Sequence, residues 1–194
     1  MDTYRFPRVK DASWNSYDRQ KQRYETISPL LGDNAIGAEV GVYKGGFGEF
    51  LLPHCKLLYL IDPWYRLKPF WGTPSEESSS VRAFIQILRV YTEEIEDGRV
   101  QVIPQFAHEF LESVTPGHLD WVYLDASHEY ATTLAEIRLA LKAIKHEGYL
   151  IGDDYDPDPS SFQHGVFRAV NEVASSLGVS LCLCDGRQWA FQVP

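Results

Sequence analysis

Cysteine is scarce in this 194-residue chain, and Cys55, Cys182 and Cys184 do not make a disulfide framework. Cys182-Leu183-Cys184 has the wrong spacing for a zinc knuckle and, at period two, puts both thiols on one strand face. They read as core-type cysteines of a reducing compartment. Basic residues are outnumbered, 18 Lys and Arg against 27 Asp and Glu, for a net charge of −9. General nucleic-acid binding needs a basic footprint and is disfavoured, although a local basic groove is not; a cationic ligand would not be repelled. Apolar runs fall short of the roughly twenty residues that cross a bilayer. The first residues, with Asp2, Arg5, Arg8 and Lys10, show no apolar signal segment. The chain therefore reads as soluble and cytoplasmic, without repeats or low-complexity tracts.

What is present is a globular composition, 44% apolar and 13% aromatic, enough for one domain with a sizeable core. Residues 1–34 read as an aromatic-rich N-terminal extension with one helix, a lid or a substrate or dimer contact; residues 35–194 read as the main domain. Strands are expected at 35–42, 57–61, 100–103, 119–124 and 148–152. The run after Asp120 is apolar throughout, as in a strand covered on both faces. Helices are expected from Gly45 to Leu52, over Val81–Ile95 (Phe84, Ile87, Leu88 and Tyr91 on one face), over Thr132–Ile144, and over Phe162–Leu177, which Gly178 ends. Residues 63–80 read as a surface loop or lid. The tail around Asp185-Gly186 reads as a hairpin. Alternating strands and helices imply an α/β fold with a mainly parallel sheet and right-handed crossovers.

The stretch Ala38-Glu39-Val40-Gly41-Val42-Tyr43-Lys44-Gly45-Gly46 puts a carboxylate ahead of a glycine turn. About twenty residues later, Leu57–Ile61 ends in Asp62, placed for ribose hydroxyls. The glycine spacing of pyrophosphate sites is missing. The pattern points instead to S-adenosylmethionine (SAM), which has ribose and adenine but no phosphate. Asp125, Asp153 and Asp154 each follow an apolar strand, so parallel strands deliver them to one crevice. There they must be protonated, or bridged by a cation such as Mg²⁺, which prefers oxygen ligands.

Four blocks, AEVGVYKGG, LLYLIDPW, LDWVYLDASHEY and EGYLIGDDY, resemble the class I SAM-dependent methyltransferases. The nearer likeness is to the small family related to macrocin O-methyltransferase, the more distant one to catechol O-methyltransferase. The resemblance implies a Rossmann-like doubly wound sheet of seven strands, the last antiparallel, with helices on both faces. It implies cofactor contacts from Glu39, Gly41, Gly45 and Asp62. Phe47 stands near where relatives carry Ser or Thr. At the adenine end the usual acid is absent, so Gln105 or the Phe106 backbone would have to serve.

The resemblance further implies a divalent cation held by Asp125, Asp153 and Asp154, with a substrate hydroxyl attacking the sulfonium methyl in line. Asp125 would also act in catalysis. His128, three residues after Asp125, stands where catechol O-methyltransferase has its lysine base. His164, Tyr155 and Trp64 are weaker substrate candidates. Trp14, Trp64, Tyr65, Phe70, Trp71 and Tyr155 could wall the acceptor pocket, pack internally, or meet in a homodimer. The reading that follows is a metal-assisted O-methyltransferase acting on a small hydroxylated molecule of sugar or phenol type. Metal-independent transfer to nitrogen or another acceptor, a SAM-binding module without catalysis, and a nicotinamide-dependent oxidoreductase stand as alternatives.

Overall fold

The computed structural model describes residues 17–64, 74–184 and 187–194. Trp14, Tyr65, Phe70, Trp71 and the Asp185-Gly186 turn lie outside them. Helix α1 (Tyr17–Leu31) leads into β1 (Ala35–Val40), short α2 (Gly48–Leu51) and β2 (Cys55–Ile61). Then come α3 (Pro74–Val90), α4 (Thr92–Glu96), β3 (Val100–Ile103), α5 (Ala107–Ser113), β4 (Leu119–Leu124) and α6 (Tyr130–Ala143). Strand β5 (Ile144–Gly152), α7 (His164–Leu177), β6 (Cys182–Cys184) and β7 (Gln188–Gln192) complete the order. The strands form one sheet in the order β3-β2-β1-β4-β5-β7-β6. The pairs β1–β2, β1–β4, β2–β3 and β4–β5 are parallel; β7 runs antiparallel to both β5 and β6. This is the mainly parallel α/β sheet expected from the alternation of elements, in the Rossmann-like layout that the resemblance implies.

Period-two alternation splits the core into two layers. On β4, Val122 and Leu124 face α6 and α7 and pack with Ile137, Ala140 and Val170. Trp121 and Tyr123 face the other way, into a cluster with Ile27 and Leu31 of α1 and Ile87 of α3. Both faces of β4 are therefore buried, which is why its sequence reads as a continuous apolar run. Helix α7 buries Val166, Ala169, Val170, Val173 and Ala174 and ends where Gly178 takes φ +66°, its N–H returning to Ala174 and Ser175.

Several boundaries differ from expectation. The second crossover helix begins at Pro74, inside the stretch read as a loop, and breaks at Tyr91 before α4. The Tyr91 hydroxyl donates to the Gly45 carbonyl at 2.8 Å, tying the helix break to the turn after β1. Leu88, expected on the buried face, is exposed. The helix expected from Gly45 is only four residues long and gives way to a 3-10 turn around Pro53, which has no N–H to continue it. Strand β5 begins four residues earlier than its apolar core. Cys55 is buried, but Cys182 is exposed, because β6 is the edge strand of the sheet among the described residues. No described helix is long and apolar enough to cross a membrane.

Candidate active site

The parallel strands β1, β2 and β4 end at a common edge, and the turns that leave them make the site. At the end of β1 the chain turns at Gly41, φ +94°, its N–H bonded to the Ile61 carbonyl at 2.8 Å. A Cβ there would lie 1.9 Å from the Asp125 carbonyl oxygen. The first and fourth strands thus leave the sheet in backbone contact, and only glycine permits it. Gly45 and Tyr43 also have positive φ, so the whole turn is held tight.

Asp62 clamps this turn to the one after β2. One carboxylate oxygen accepts from the Tyr43 N–H at 2.9 Å and the other from the Trp64 N–H at 2.8 Å. Burial pushes the Asp62 carboxyl up, and the backbone donors oppose that shift. The Val42 N–H also reaches this carboxylate, and the lone-pair capacity that remains is what a ribose hydroxyl would use. Trp64, considered for the substrate wall, is only 1% exposed. Its indole N–H donates to the Tyr43 carbonyl at 2.8 Å and its ring packs on Phe84, so it braces the clamp from within.

Glu39 is 3% exposed, and its Oε2 has no hydrogen-bond partner within the protein. Burial holds its pKa well above the usual range; the nearby Asp125 and Asp62 add to this, while Arg23 opposes it. An orphaned buried carboxyl oxygen beside a glycine turn is what a ligand ammonium group would satisfy. The SAM expectation therefore fits these residues. At the other end, after β3, the Phe106 N–H is taken by Glu109 Oε2 at 3.0 Å, which caps α5. The Gln105 N–H returns to the Ile103 carbonyl at 2.9 Å, so both adenine-end candidates sit in the turn that leaves β3.

The three aspartates do not gather as one centre. Asp125 Oδ2 accepts from Arg23 Nη2 at 3.1 Å, and the same Nη2 pairs with Asp153 Oδ2. Arg19 lies 3.7 Å from Asp153 as well. Asp154, at φ +64°, turns away and meets His128 Nε2 at 2.7 Å through Oδ2. Its Oδ1 accepts from Gln163 Nε2 at 2.6 Å, and Gln163 in turn accepts from Arg187. The group with metal-ligand geometry is therefore Asp125, His128 and Asp154, whose ligand atoms lie within 4.8 Å of one another. Asp153 stands outside that group: it faces Arg23 and Arg19, and neither of its buried oxygens completes a hydrogen bond within the protein.

Asp125 is pushed up to about 6, by burial and then Asp154, against Arg23 and His128. His128 is raised, chiefly by its hydrogen bond to Asp154, with burial opposing. The edge of its ring meets Phe162, 5.3 Å between centroids, and Phe162 is 83% exposed. His164 and Tyr155 belong elsewhere. His164 Nδ1 donates to the Asp156 carbonyl at 3.2 Å, and its ring stacks on Phe167. The Tyr155 hydroxyl accepts from Asn171, and its ring also packs on Phe167. Both help to seat α7.

Below the His128 loop lies a carboxyl that composition and motif did not single out. Glu136 of α6 is buried and accepts from the Ser127 N–H, while Thr133 donates to the Ser127 carbonyl at 2.9 Å. Burial pushes Glu136 up to about 7 from its ordinary 4.5. A carboxyl raised on folding stabilises least where the folded form must ionise. Its penalty is absent below pH 4.5, grows through the interval, and is complete above about 7. The full gap corresponds to about 3 kcal/mol. Glu136→Gln keeps the acceptor for Ser127, so the variant should match wild type at pH 4.5 and exceed it in stability at pH 8. Urea titrations at the two pH values check this, and a pH-independent difference would refute it.

Arg23, Arg19, Phe162 and Gln163 were missed in the sequence. The spacing of Arg19 and Arg23, four apart on one helix face, was the available signal for the first two. No curated protein matches the chain. Among solved structures, the N-methyltransferase NodS from Bradyrhizobium japonicum aligns at 20% identity over 96% of this chain and 99% of its own, TM-score 0.60. A Streptococcus mutans protein solved with S-adenosylhomocysteine aligns at 17% identity over 89% of this chain and 96% of its own, TM-score 0.59. Fibrillarin from Aeropyrum pernix, solved with SAM, aligns at 13% identity over 93% of this chain and 76% of its own, TM-score 0.59. At these identities the likeness is one of fold. The match to a methyltransferase domain is more specific: it runs over residues 38–155, from the glycine turn through His128 to the aspartates after β5. That match spans more than half of the sequence, and the chain belongs to the methyltransferase-domain family.

Proposed function

We propose that this protein transfers the methyl group of SAM to a hydroxyl of a small molecule, with His128 as the base. The observation that carries this is the 2.7 Å His128–Asp154 pair beside the bed formed by Glu39, Gly41 and Asp62. With Nε2–H committed to Asp154, Nδ1 is the lone pair available for a proton. An acceptor hydroxyl gives its proton to Nδ1 as its oxygen attacks the methyl carbon. The carbon–sulfur bond breaks, its electron pair stays on sulfur, and the sulfonium becomes the neutral thioether of S-adenosylhomocysteine. Asp154 holds the imidazole in the required tautomer and steadies the imidazolium that results. Glu39 and Asp62 hold the cofactor at its ammonium and ribose ends.

Phe162 favours the phenol type of acceptor over the sugar type. An exposed phenyl ring at the edge of the base can stack an aromatic substrate. The test is methyl transfer from labelled SAM to panels of phenols, sugars and amines. Phenols should be methylated, and Phe162→Ala should raise their KM about 10-fold, the equivalent of one stacking contact. Transfer confined to amines would replace this reading with the nitrogen one.

A second reading keeps a divalent cation, and the clustering of Asp125, His128 and Asp154 is the observation in its favour. Those three would hold the ion, which when bound would lower the pKa of the acceptor hydroxyl. His128 would then be a ligand and not the base. Turnover that is lost to a chelator and restored by Mg²⁺ would select this second reading.

A further inference from the structure

The acidic end of the sheet has to be neutralised by something. Glu39, Asp62, Asp125, Asp153 and Asp154 all lie at the ends of β1, β2, β4 and β5, and the Asp153 side chain is wholly buried. A buried carboxylate without a counter-charge is costly, and burying one next to another is worse. Two kinds of cation can meet the demand: an ion from solution, or a side chain. The chain supplies a side chain.

Arg23 reaches the site from α1, a helix outside the segment that matches the methyltransferase family. Its side chain is 11% exposed, and one terminal nitrogen meets both Asp125 Oδ2 and Asp153 Oδ2. The Phe47 ring lies under the guanidinium at 5.9 Å. Phe47 itself packs on Tyr123, so the wall offers an aromatic face to a flat cation. The helix is fixed in turn: Ile27 and Leu31 are buried in the core, and Tyr24 hydrogen-bonds His54 at 2.9 Å.

We propose that Arg23 is a tethered replacement for the divalent cation that Asp125 and Asp153 would otherwise share, and that the site works without metal. The space between the two Oδ2 atoms is taken by Nη2, and an ion coordinated at about 2.1 Å by both oxygens would have to displace it. An ion can leave, whereas a guanidinium held by a buried helix stays, and it stays charged at every working pH. Arg23 is thus a positioning residue. It keeps Asp125 and Asp153 neutralised and fixes where β4 and β5 present Asp125 and the neighbouring Asp154 to His128. The assignment of what the site does rests on the methyl-transfer reading; the occupancy of the cation position does not.

The experiment is Mn²⁺ binding, followed by electron paramagnetic resonance and calorimetry on chelator-treated protein. A SAM titration is run on the same samples. Wild type should bind no Mn²⁺ and keep its turnover after chelation. Arg23→Met, which keeps the side-chain bulk without the charge, should acquire a single Mn²⁺ site, and adding Asp153→Asn should remove it. Arg23→Lys, which keeps a cation, should stay metal-free. Wild-type binding of Mn²⁺ that Asp153→Asn or His128→Asn abolishes would overturn the proposal, and this arm stands even if Arg23→Met does not fold. A folded Arg23→Met without Mn²⁺ would overturn it too. Failure of SAM to bind would instead sink the methyl-transfer reading and leave the Mn²⁺ result to report on Arg23 alone.

Discussion

Replacing His128 with Asn is expected to lower kcat by about 10²- to 10⁴-fold, the usual worth of a positioned base. SAM affinity should stay within a few-fold, because the proposed cofactor contacts, Glu39 and Asp62, come from other strands. The pH profile gives the sharper test. The base works in its neutral form, so kcat/KM should rise with pH through the pKa of His128. The hydrogen bond to Asp154 raises that pKa, placing the acidic limb above the ordinary 6.5. Asp154→Asn removes the charge that favours the imidazolium, so the limb should move to lower pH even as kcat falls. Asp125 titrates near 6 in the same neighbourhood, and the limb therefore belongs to the group as a whole. A profile unmoved by Asp154→Asn, with turnover retained in His128→Asn, would remove His128 from the chemistry. In that event the pair would be structural, and the acceptor would have to arrive already deprotonated.

The fold was legible because β4 and the α7 face carry patterns that only one arrangement satisfies. A strand with no polar residue between Trp121 and Leu124 must lie inside a sheet, and the helix around it must cover both sides. The acids were legible for a related reason: a carboxylate directly after such a strand can only emerge at its end. Which way each acid then points could not be read. Asp153 and Asp154 are adjacent in sequence, yet one meets α1 and the other meets His128. The division comes from Asp154 taking φ +64°, a local backbone state that no periodicity encodes. Arg23 was hidden for a different reason. It lies 102 residues from Asp125 in the chain, on a helix whose hydrophobic pattern is weak and whose polar residues look like an ordinary solvated face. The sequence pattern puts Phe162 in a helix, whereas it belongs to the exposed turn before α7. The turns that leave the strands were thus readable from local sequence, and the partners of the acids depended on distant segments meeting.

Gly41→Ala is expected to be the most damaging small substitution in the chain, and Gly46→Ala, five residues on, nearly silent. At Gly41 two separate costs coincide. The backbone has φ +94°, which an alanine adopts only with strain, and the new methyl would sit 1.9 Å from the Asp125 carbonyl oxygen. That neighbour is backbone, and the Asp125 N–H is bonded to the Val40 carbonyl at 2.8 Å, so the two strand ends can separate only by giving up a sheet hydrogen bond. Strain, overpacking and a lost bond together put the loss at about 3 kcal/mol or more. In a chain of this size that lowers Tm by roughly 10 °C. At Gly46 the φ is unexceptional and a Cβ would meet nothing within 4 Å. Calorimetric scans of the two variants compare the same chemical change in the same loop. The consequence for binding follows from the same geometry. Moving Gly41 away from Asp125 shifts Glu39 and Tyr43, and through Tyr43 the Asp62 clamp, so both ends of the cofactor bed are disturbed at once. SAM affinity in Gly41→Ala should therefore fall at least 10-fold even below the new Tm. If affinity held while stability fell, the turn would be a folding element only, and the cofactor would have to lie elsewhere along the strand ends.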